Sequence, residues 1–421
     1  MSRDTRPMKI AAITFGTEGD SRPFVALCNG LANAGHELCF LTEKSSLSLA
    51  TSGVRAIELM GDIKSTLTDL LSSGSKASGA SAMTEALSSL AKSCTAHWMR
   101  SLLEVAKGCD TIIAAGLPLY VALSVSEHLG IPIVAVGLQP SSPTREFPSP
   151  FFPVTVPRWC NRLTHKLVMG IIWRTFRNSI NAAGAKVLHE KPRSKPWKGY
   201  PVLFAISTHL LPKPSDWPDN YYVTGWWALE EGNWQAPKPL QDFLAAGEPP
   251  IYIGFGSMVG FDRGLVMREV LTALDGRRAL LSLGWNELGS SSLPSNIFLI
   301  GPTPHDQLFP HVSIVIHHGG AGTSHSAAAA GVPSVVVPFT GDQPFWASRL
   351  KWAGVAPESV PYKRLSSGLL QKRIMEASSL EMRQRAETLG RLMRQEKGVQ
   401  NAVVRFEKLL VPRGAKACSS P

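Results

Sequence analysis

The sequence predicts an α/β protein made of two Rossmann-like domains that face each other across a cleft. Three observations lead to this prediction. The chain has 421 residues, of which 44% are hydrophobic. A chain of this length is too long for one ordinary core, so two domains are expected. Short β-branched runs alternate with longer helical stretches, a pattern typical of parallel βαβ units. The alternation stops at a stretch rich in Pro, Trp and Gly and then starts again.

The first set of alternating elements predicts an N-terminal domain over residues 1–210. Its predicted strands are KIAAITF, LCFLT, TIIAAG and PIVAVG, and its predicted helices lie near 23–34 and 119–129. Residues 72–93 are rich in Ser, Ala and Gly and contain few large apolar side chains. This composition predicts a mobile surface segment before a helix.

The second set follows residues 211–245, which we interpret as an interdomain linker. Its predicted strands are IYIGFGS, ALLSLG, IFLIGP, VSIVIHHGG and PSVVVPF, with helices near 263–275, 321–330 and 342–353. These elements predict a C-terminal domain over residues 246–396.

The formal net charge of +11 is concentrated in one segment, residues 158–198, which holds ten basic residues and one acid. Apolar side chains recur there at helical spacing beside a basic stripe, which indicates a basic amphipathic helix. The apolar positions are Trp159, Leu163, Leu167, Ile171 and Ile172, and the basic stripe is Arg158, Arg162 and Lys166. Such a helix can pack on its own domain or lie on an anionic membrane surface. No nucleic-acid-binding module accompanies the charge, so no nucleic acid partner is predicted.

Cysteine spacing and the first apolar segment indicate the compartment. The six cysteines are scattered without a C-x-x-C pair or a nearby histidine cluster, which argues against a disulfide framework or a zinc site. The segment MKIAAITFG is too short to span a membrane and lacks a small-residue cleavage site. We therefore predict a cytoplasmic protein and leave open a peripheral membrane contact through residues 158–198.

The strongest chemical signal is VIHHGGAGTSHSAAAAGVPSVVVPFTGDQPFWASRL, residues 315–350. A predicted strand ends at two histidines, and Gly319, Gly320 and Gly322 then lead into an Ala-rich helix. These glycines allow a ligand to approach the backbone, and the N–H groups that open the helix suit a diphosphate. His318 can add a ring donor. A tight strand-to-helix turn alone would also require glycine.

A second signal, FTGDQPF, follows the next predicted strand. Asp342 and Gln343 stand there before Pro344, which can open a helix. Ligands of open α/β sheets bind at the carboxyl ends of strands, so this carboxylate and this amide should lie beside the glycine-rich turn, where they suit sugar hydroxyls. Asp342 can instead serve only as a helix cap.

Residues 317–350 resemble the nucleotide-sugar signature of family 1 glycosyltransferases. Within that family the resemblance is closest to sterol glucosyltransferases and to bacterial enzymes that glycosylate natural products. The stretches GTEGDSRPFVALCNGLANAGHEL, FLAAGEPPIYIGFGSM, DWPDNYYVTGWW and PHDQLFP agree with it. The resemblance implies a GT-B fold, with the acceptor on the N-terminal domain and the nucleotide sugar on the C-terminal domain. It also implies that the last helix, about residues 397–421, packs back on the N-terminal domain.

The resemblance further implies roles for individual residues. The diphosphate contacts fall on His318, Gly320, Gly322 and Thr323, the sugar contacts on Asp342 and Gln343, and Ser257 lies at a turn that faces the nucleotide. Asp20, in GTEGDSRPF, takes the position of the general base, which accepts the proton of the acceptor hydroxyl. Asp20 can also merely cap a helix that begins near Pro23, and Glu18 supplies a second carboxylate. We expect an acceptor site that includes Phe147, Phe151, Trp159 and Trp173.

The implied reaction is inverting and metal-independent. It moves a hexose, with UDP-glucose as the leading donor, to a hydroxyl of a lipophilic acceptor such as a sterol. No cofactor is expected beyond the UDP-sugar as co-substrate, and the chain contains no D-x-D pair. The alternatives are transfer to a polyketide, macrolide or other natural product from a UDP- or dTDP-sugar, a nucleotide-sugar epimerase, and a non-catalytic lipid-binding scaffold.

Overall fold

The computed structural model describes residues 6–16, 18–51, 53–62, 65–66, 80–152, 154, 156–229, 232, 234–256, 261–282 and 293–410. Within these residues the chain forms one sheet of seven strands and one of five. All neighbouring strands are parallel. The predicted α/β class with two parallel sheets is therefore confirmed.

The first sheet has the strand order β3-β2-β1-β4-β5-β6-β7. Its strands are β1 (Lys9–Ile13), β2 (Glu37–Thr42), β3 (Val54–Glu58), β4 (Thr111–Ala115), β5 (Ile133–Gly137), β6 (Val202–Phe204) and β7 (Tyr221–Val223). Among the described residues, the α-helices that lie along the chain between these strands are α1 (Glu18–Asn33), α2 (Ala80–Ala106), α3 (Leu119–Leu129) and α4 (Asn161–Ala183). The central strands β1 and β4 are apolar and almost wholly buried, as expected of parallel strands with both faces covered.

The second sheet has the strand order β10-β9-β8-β11-β12. Its strands are β8 (Ile251–Gly254), β9 (Ala279–Ser282), β10 (Ile297–Ile300), β11 (Ile314–His317) and β12 (Ser334–Val336). The remaining helices are α5 (Lys238–Ala245), α6 (Arg263–Leu274), α7 (His305–Leu308), α8 (Ala321–Ala330), α9 (Gln343–Trp352), α10 (Ser367–Ala377), α11 (Leu380–Gln395) and α12 (Gly398–Leu410). The strand order reverses beside β1 in the first sheet and beside β8 in the second. Crevices at such reversals are where α/β sheets bind ligands.

Residues 80–93, part of the predicted mobile surface segment, are helical. They form the first half of α2, because Ala, Leu and Met favour a helix and because Leu90 and Ala91 are buried in the core of the first sheet. Residues 72–79 lie outside the described residues.

The stretch 211–245, predicted as a linker, contains two structural elements. It supplies β7 to the edge of the first sheet, and it supplies α5, whose Leu240 packs with Tyr252 and Leu280 in the core of the second. Tyr221 and Val223 are aromatic and β-branched residues, which favour a strand. The predicted linker is therefore not irregular throughout.

Helix α12 packs back on the first sheet. Its buried residues Ala402, Val403 and Phe406 share a hydrophobic cluster with the first sheet. A Cβ atom on Gly30 of α1 would overlap a methyl group of Val399, so the two helices meet at close range. The unit around the first sheet therefore contains both β1 and α12. The predicted helix range extends to 421, and residues 411–421 lie outside the described part.

The two chain segments that pass between the units contact each other. Gly225 follows β7 and Gly398 opens α12, and a Cβ atom on Gly398 would overlap the carbonyl oxygen of Trp226. The Glu396 carboxylate accepts hydrogen bonds from the N–H and hydroxyl of Thr208, at 2.8 and 2.6 Å, and from the N–H of Trp226, at 3.4 Å. We refer to these two segments, 224–226 and 396–398, as the double crossing.

Candidate active site

Asp20 lies at the carboxyl end of β1, within the first turn of α1. The helix begins at Glu18, so it starts before Pro23, and Asp20 does not cap a helix that begins at Pro23. The first N–H groups of a helix lack partners within the helix and favour a carboxylate nearby. The half-buried Asp20 side chain lies over Gly16, where a Cβ atom would be 2.8 Å from Oδ2 of Asp20. The side chain of Glu18 lies outside the described residues.

The glycine-rich turn after β11 packs against the start of α9. Gly319 has a φ of 92°, which disfavours any residue with a side chain. A Cβ atom on Gly319 would lie 2.7 Å from Cγ1 of Val336 and 3.0 Å from the carbonyl oxygen of Gln343. The absence of a side chain at Gly319 therefore lets the predicted diphosphate turn and the predicted sugar contacts approach each other.

The first turn of α8 presents backbone donors beside this turn. Gly320 is the N-cap of α8, and Gly322 and Thr323 lie within its first turn. The N–H groups of a first helical turn have no partner within the helix, and the helix dipole adds positive potential there. Three of the predicted diphosphate contacts thus occupy one helix N-terminus.

The histidine pair at the end of β11 is neutral at physiological pH. Burial lowers the pKa of His318 to about 4, against an opposing effect of the Gly254 backbone, and burial lowers the pKa of His317 well below its usual value. The N–H of Gly319 donates to Nδ1 of His317 at 3.1 Å. Nδ1 of His318 has no hydrogen-bond partner among the described residues. His318 can therefore offer a ligand a hydrogen bond but no positive charge.

Asp342 and Gln343 are held in place by their own loop and helix. Oε1 of Gln343 accepts hydrogen bonds from the N–H groups of Phe339 and Thr340, at 2.7 and 3.0 Å. Asp342 is the N-cap residue of α9 but makes no side-chain capping bond. Its Oδ2 instead accepts a 2.9 Å hydrogen bond from Nε1 of Trp346, which is wholly buried. These contacts fix the orientation of both side chains.

Asp20 and Asp342 share one electrostatic environment although they belong to different units. Burial raises the pKa of Asp342 to about 6, the Trp346 indole opposes this shift, and the negative charge of Asp20 adds to it. One carboxylate shifts the pKa of another in this way only over a short distance. Helices α1 and α8 also contact each other. The structure therefore brings Asp20, the glycine-rich turn and Asp342 to one cleft.

Comparison with known proteins identifies the family. Residues 269–388 match the family model "Erythromycin biosynthesis protein CIII-like, C-terminal domain". The chain is 33% identical to "Sterol 3-beta-glucosyltransferase UGT80A2" of Arabidopsis thaliana, over 99% of this chain and 67% of that protein. It is 32% identical to "O-mycaminosyltylonolide 6-deoxyallosyltransferase" of Streptomyces fradiae, over 95% of this chain and 97% of that protein. The chain belongs to the family 1 glycosyltransferases of GT-B fold.

Solved GT-B structures share the fold of this glycosyltransferase at low sequence identity. "CalG4, the Calicheamicin Glycosyltransferase" superposes with a TM-score of 0.68 at 15% identity, over 97% of this chain and 100% of that one. "Spinosyn Forosaminyltransferase SpnP" gives a TM-score of 0.67 at 18% identity, over 96% and 100%.

The predicted acceptor residues of the glycosyltransferase occupy different environments. Phe147 is buried where the two units meet, with its ring centroid 5.3 Å from that of Phe345 in α9. Trp173 is also buried, and its Nε1 donates to the carbonyl oxygen of Ser194 at 3.1 Å, so it belongs to the core instead of an open surface. Phe151 and Trp159 are exposed. Their contact with an acceptor stays a prediction, as does the nucleotide contact of Ser257, which lies outside the described residues.

Two residues that the sequence patterns do not single out also position the cleft of the glycosyltransferase. Trp346 orients Asp342. Trp346 stands four residues after Asp342, on the same face of the helix, and this spacing is the sequence signal that could have revealed the contact. His325 of α8 bonds to both units: its Nε2 accepts from the N–H of Ser207 at 3.3 Å, while Nδ1 lies 2.8 Å from the carbonyl oxygen of Ala321. No local pattern reveals that contact, because Ser207 is 118 residues away.

Trp346→Phe is expected to move the acidic limb of kcat/KM for the donor to higher pH. If Asp342 accepts hydrogen bonds from the sugar as predicted, activity falls as the pH drops through about 6, because the carboxylate becomes protonated. The indole bond favours the ionised form, so its loss raises the pKa of Asp342 further. A pH profile of kcat/KM measures the limb. The control is Ser348→Ala, which removes a hydroxyl that donates to the carbonyl oxygen of Phe345 and should leave the acidic limb at its original pH. An acidic limb that does not move in Trp346→Phe would contradict the role of Trp346 in holding Asp342 ionised.

Proposed function

We propose that this glycosyltransferase moves a hexose from UDP-glucose to a hydroxyl of a lipophilic acceptor such as a sterol, with inversion at the anomeric carbon. The observation that carries the proposal is the convergence of Asp20, the glycine-rich turn and Asp342 at one cleft, where α1 contacts α8 and Gly319 packs against Gln343. The 33% identity to a sterol 3-beta-glucosyltransferase over almost the whole chain supports the acceptor class.

In the proposed reaction Asp20 is the general base. The acceptor oxygen forms a bond to the anomeric carbon, the bond from that carbon to the diphosphate oxygen breaks, and the acceptor proton passes to the Asp20 carboxylate. A carboxylate is a far weaker base than an alkoxide, so it accepts the proton as the new bond forms and not before. This role depends mainly on position, and the contact of Asp20 with the Gly16 turn supports a fixed position.

The C-terminal unit would hold the donor. We assign the diphosphate to the first turn of α8, with Gly320, Gly322 and Thr323, because helix N-termini bind phosphate oxygens and stabilise the negative charge of a leaving group. We expect His318, directly after β11, to donate a further hydrogen bond from its ring to the diphosphate. Asp342 and Gln343 bind the sugar hydroxyls.

Metal chelation is expected to leave the transfer rate unchanged. The proposed site balances the diphosphate charge with backbone N–H groups and the dipole of α8 instead of Mg²⁺. Initial rates with and without EDTA, followed by addition of excess MgCl₂, test this. A loss of rate in EDTA that Mg²⁺ restores would contradict metal independence, and NaCl added to the same ionic strength in place of MgCl₂ is the control.

Transfer to a macrolide or another polyketide, from a UDP- or dTDP-sugar, is the second candidate. The 32% identity to a macrolide deoxysugar transferase extends over nearly the full length of both chains and favours it. Mass spectra of products from UDP-glucose and dTDP-glucose, each with sterol and macrolide panels, separate the two. Sterol glucosides alone support the first proposal and macrolide glycosides alone the second. Donor consumption without acceptor would indicate an epimerase or hydrolase, and lipid binding without any turnover would indicate a scaffold.

A further inference from the structure

The N-terminal half of α4 presents an apolar stripe to solvent. The stripe consists of Trp159, Leu163, Leu167 and Ile171, at intervals of four residues, with exposures from 82% at Trp159 to 49% at Ile171. Trp159 stands in the short 3-10 turn that leads into the helix. Single exposed apolar residues are common on protein surfaces, but a contiguous patch indicates an interaction site.

A row of basic residues runs beside this apolar stripe. Arg158, Arg162, Lys166 and Arg174 are all exposed. Among the described residues, the ion pairs closer than 4 Å include none of these four. Asp216, outside the segment, interacts electrostatically with Arg162, but the segment 158–198 itself contains one acid against ten bases. This face therefore keeps an excess of positive charge.

The other face of α4 packs on its own domain. Trp173, Phe176 and Ile180 are buried, and both ring nitrogens of His165 lie 3.1 Å from backbone carbonyl oxygens, those of Ser141 and Phe147. The core of the first unit therefore uses the inner face of the helix and leaves the stripe and the basic row outside. The sequence leaves open two uses of this segment, packing on its own domain and contact with a membrane surface. In the structure, two opposite faces of one helix are available for them.

We propose that the outer face of α4 binds the surface of an anionic lipid bilayer. The apolar stripe enters the interface between headgroups and acyl chains, and the basic row contacts lipid phosphates. An interfacial helix needs this combination of an apolar face and a cationic one. None of the helices in the described ranges is long and apolar enough to cross a membrane.

This surface lies next to the cleft. His165 on the inner face of α4 reaches the carbonyl oxygen of Phe147, and the Phe147 ring contacts Phe345, two residues after Gln343. The helix itself is only about 10 Å across. Where the acceptor is lipophilic, which rests on the proposed function, docking here places the cleft beside the phase that holds the acceptor.

Vesicle co-sedimentation of the full chain tests the electrostatic part. Binding to phosphatidylcholine vesicles that contain phosphatidylglycerol is expected at low salt, and it should decrease as salt rises. The triple variant Arg158→Gln, Arg162→Gln, Lys166→Gln should bind roughly 100-fold more weakly at low salt. Equal binding to pure phosphatidylcholine vesicles, or tighter binding to duplex DNA at the same salt concentration, would overturn the proposal.

A second set of variants tests the apolar part. Trp159→Ser, Leu163→Gln, Leu167→Gln removes exposed side chains only, so it should keep the native circular dichroism spectrum and lose vesicle binding. The control is Trp352→Ser, Leu380→Gln, two similarly exposed apolar positions outside α4, which should bind as the unchanged chain does. Equal loss in both variants, or full binding in the first, would refute the assignment. Because sedimentation requires no turnover, a failure of the proposed reaction would be seen separately.

Discussion

Asp20→Asn is expected to lower kcat by roughly 10²–10⁴-fold, the range typical for loss of a general base. The amide has nearly the shape of the carboxylate and can occupy the same place over Gly16, so the cleft should keep its form. KM for the donor should change little, because Asp20 would act on the acceptor hydroxyl. Steady-state kinetics with saturating acceptor measure both constants.

Two further measurements separate this catalytic role from a structural one. Glu18→Gln changes the neighbouring carboxylate and should leave most of the rate intact. In Asp20→Asn the residual activity should extend to lower pH, because loss of the negative charge at Asp20 removes one of the effects that raise the pKa of Asp342. Undiminished turnover in Asp20→Asn, or an equal loss in Glu18→Gln, would contradict the assignment.

Gly319→Ala is expected to reduce both donor affinity and stability. The added Cβ atom would need a positive φ and would lie 2.7 Å from Cγ1 of Val336 and 3.0 Å from the carbonyl oxygen of Gln343. A backbone carbonyl cannot turn aside as a side chain can, so the start of α9 must move, together with Asp342. Strain and overpacking together cost roughly 2–5 kcal/mol of unfolding free energy.

Urea unfolding and calorimetric titration with UDP measure these two effects. Gly130→Ala is the matched control, because Gly130 has a φ of 67° at the C-cap of α3 and no other atom would lie within 4 Å of its Cβ. That variant isolates the cost of the backbone conformation and should leave UDP affinity unchanged. If Gly319→Ala lost no more stability than Gly130→Ala and bound UDP normally, the close approach of the two loops would not matter for the donor site.

Local sequence patterns predict the central part of this fold well. Strands such as β1, β4 and β11 are apolar runs buried on both faces, and their periodicity and flanking glycines identify them. Strand β6 lies in a short apolar run, PVLFAI, for which no strand is predicted. Strand β7 has three residues and pairs with the edge of β6, so its place depends on its neighbour. The start of α1 before Pro23 is also not visible locally, since proline usually marks the first turn of a helix.

The candidate site also has a part that the sequence predicts and a part that it does not. The residues that a ligand would touch stand in glycine-rich or acidic turns after strands, and these turns can be read from the sequence. The residues that hold the two units together, His325 and Glu396, act on partners 118 and 188 residues away. Such contacts depend on the tertiary arrangement, so neither periodicity nor spacing predicts them.

The double crossing makes the second unit an insertion within the first. Synthesis on the ribosome completes the seven-stranded sheet long before α12 emerges. The surface of α1 around Gly30 and Phe24 therefore stays uncovered until α12, the last described helix, packs on it. A graft that exchanges the donor half between relatives should therefore replace the chain between Trp226 and Glu396 and keep the native α12. Cutting the gene once, after β7, would instead pair α1 with a foreign helix at the close contact of Gly30.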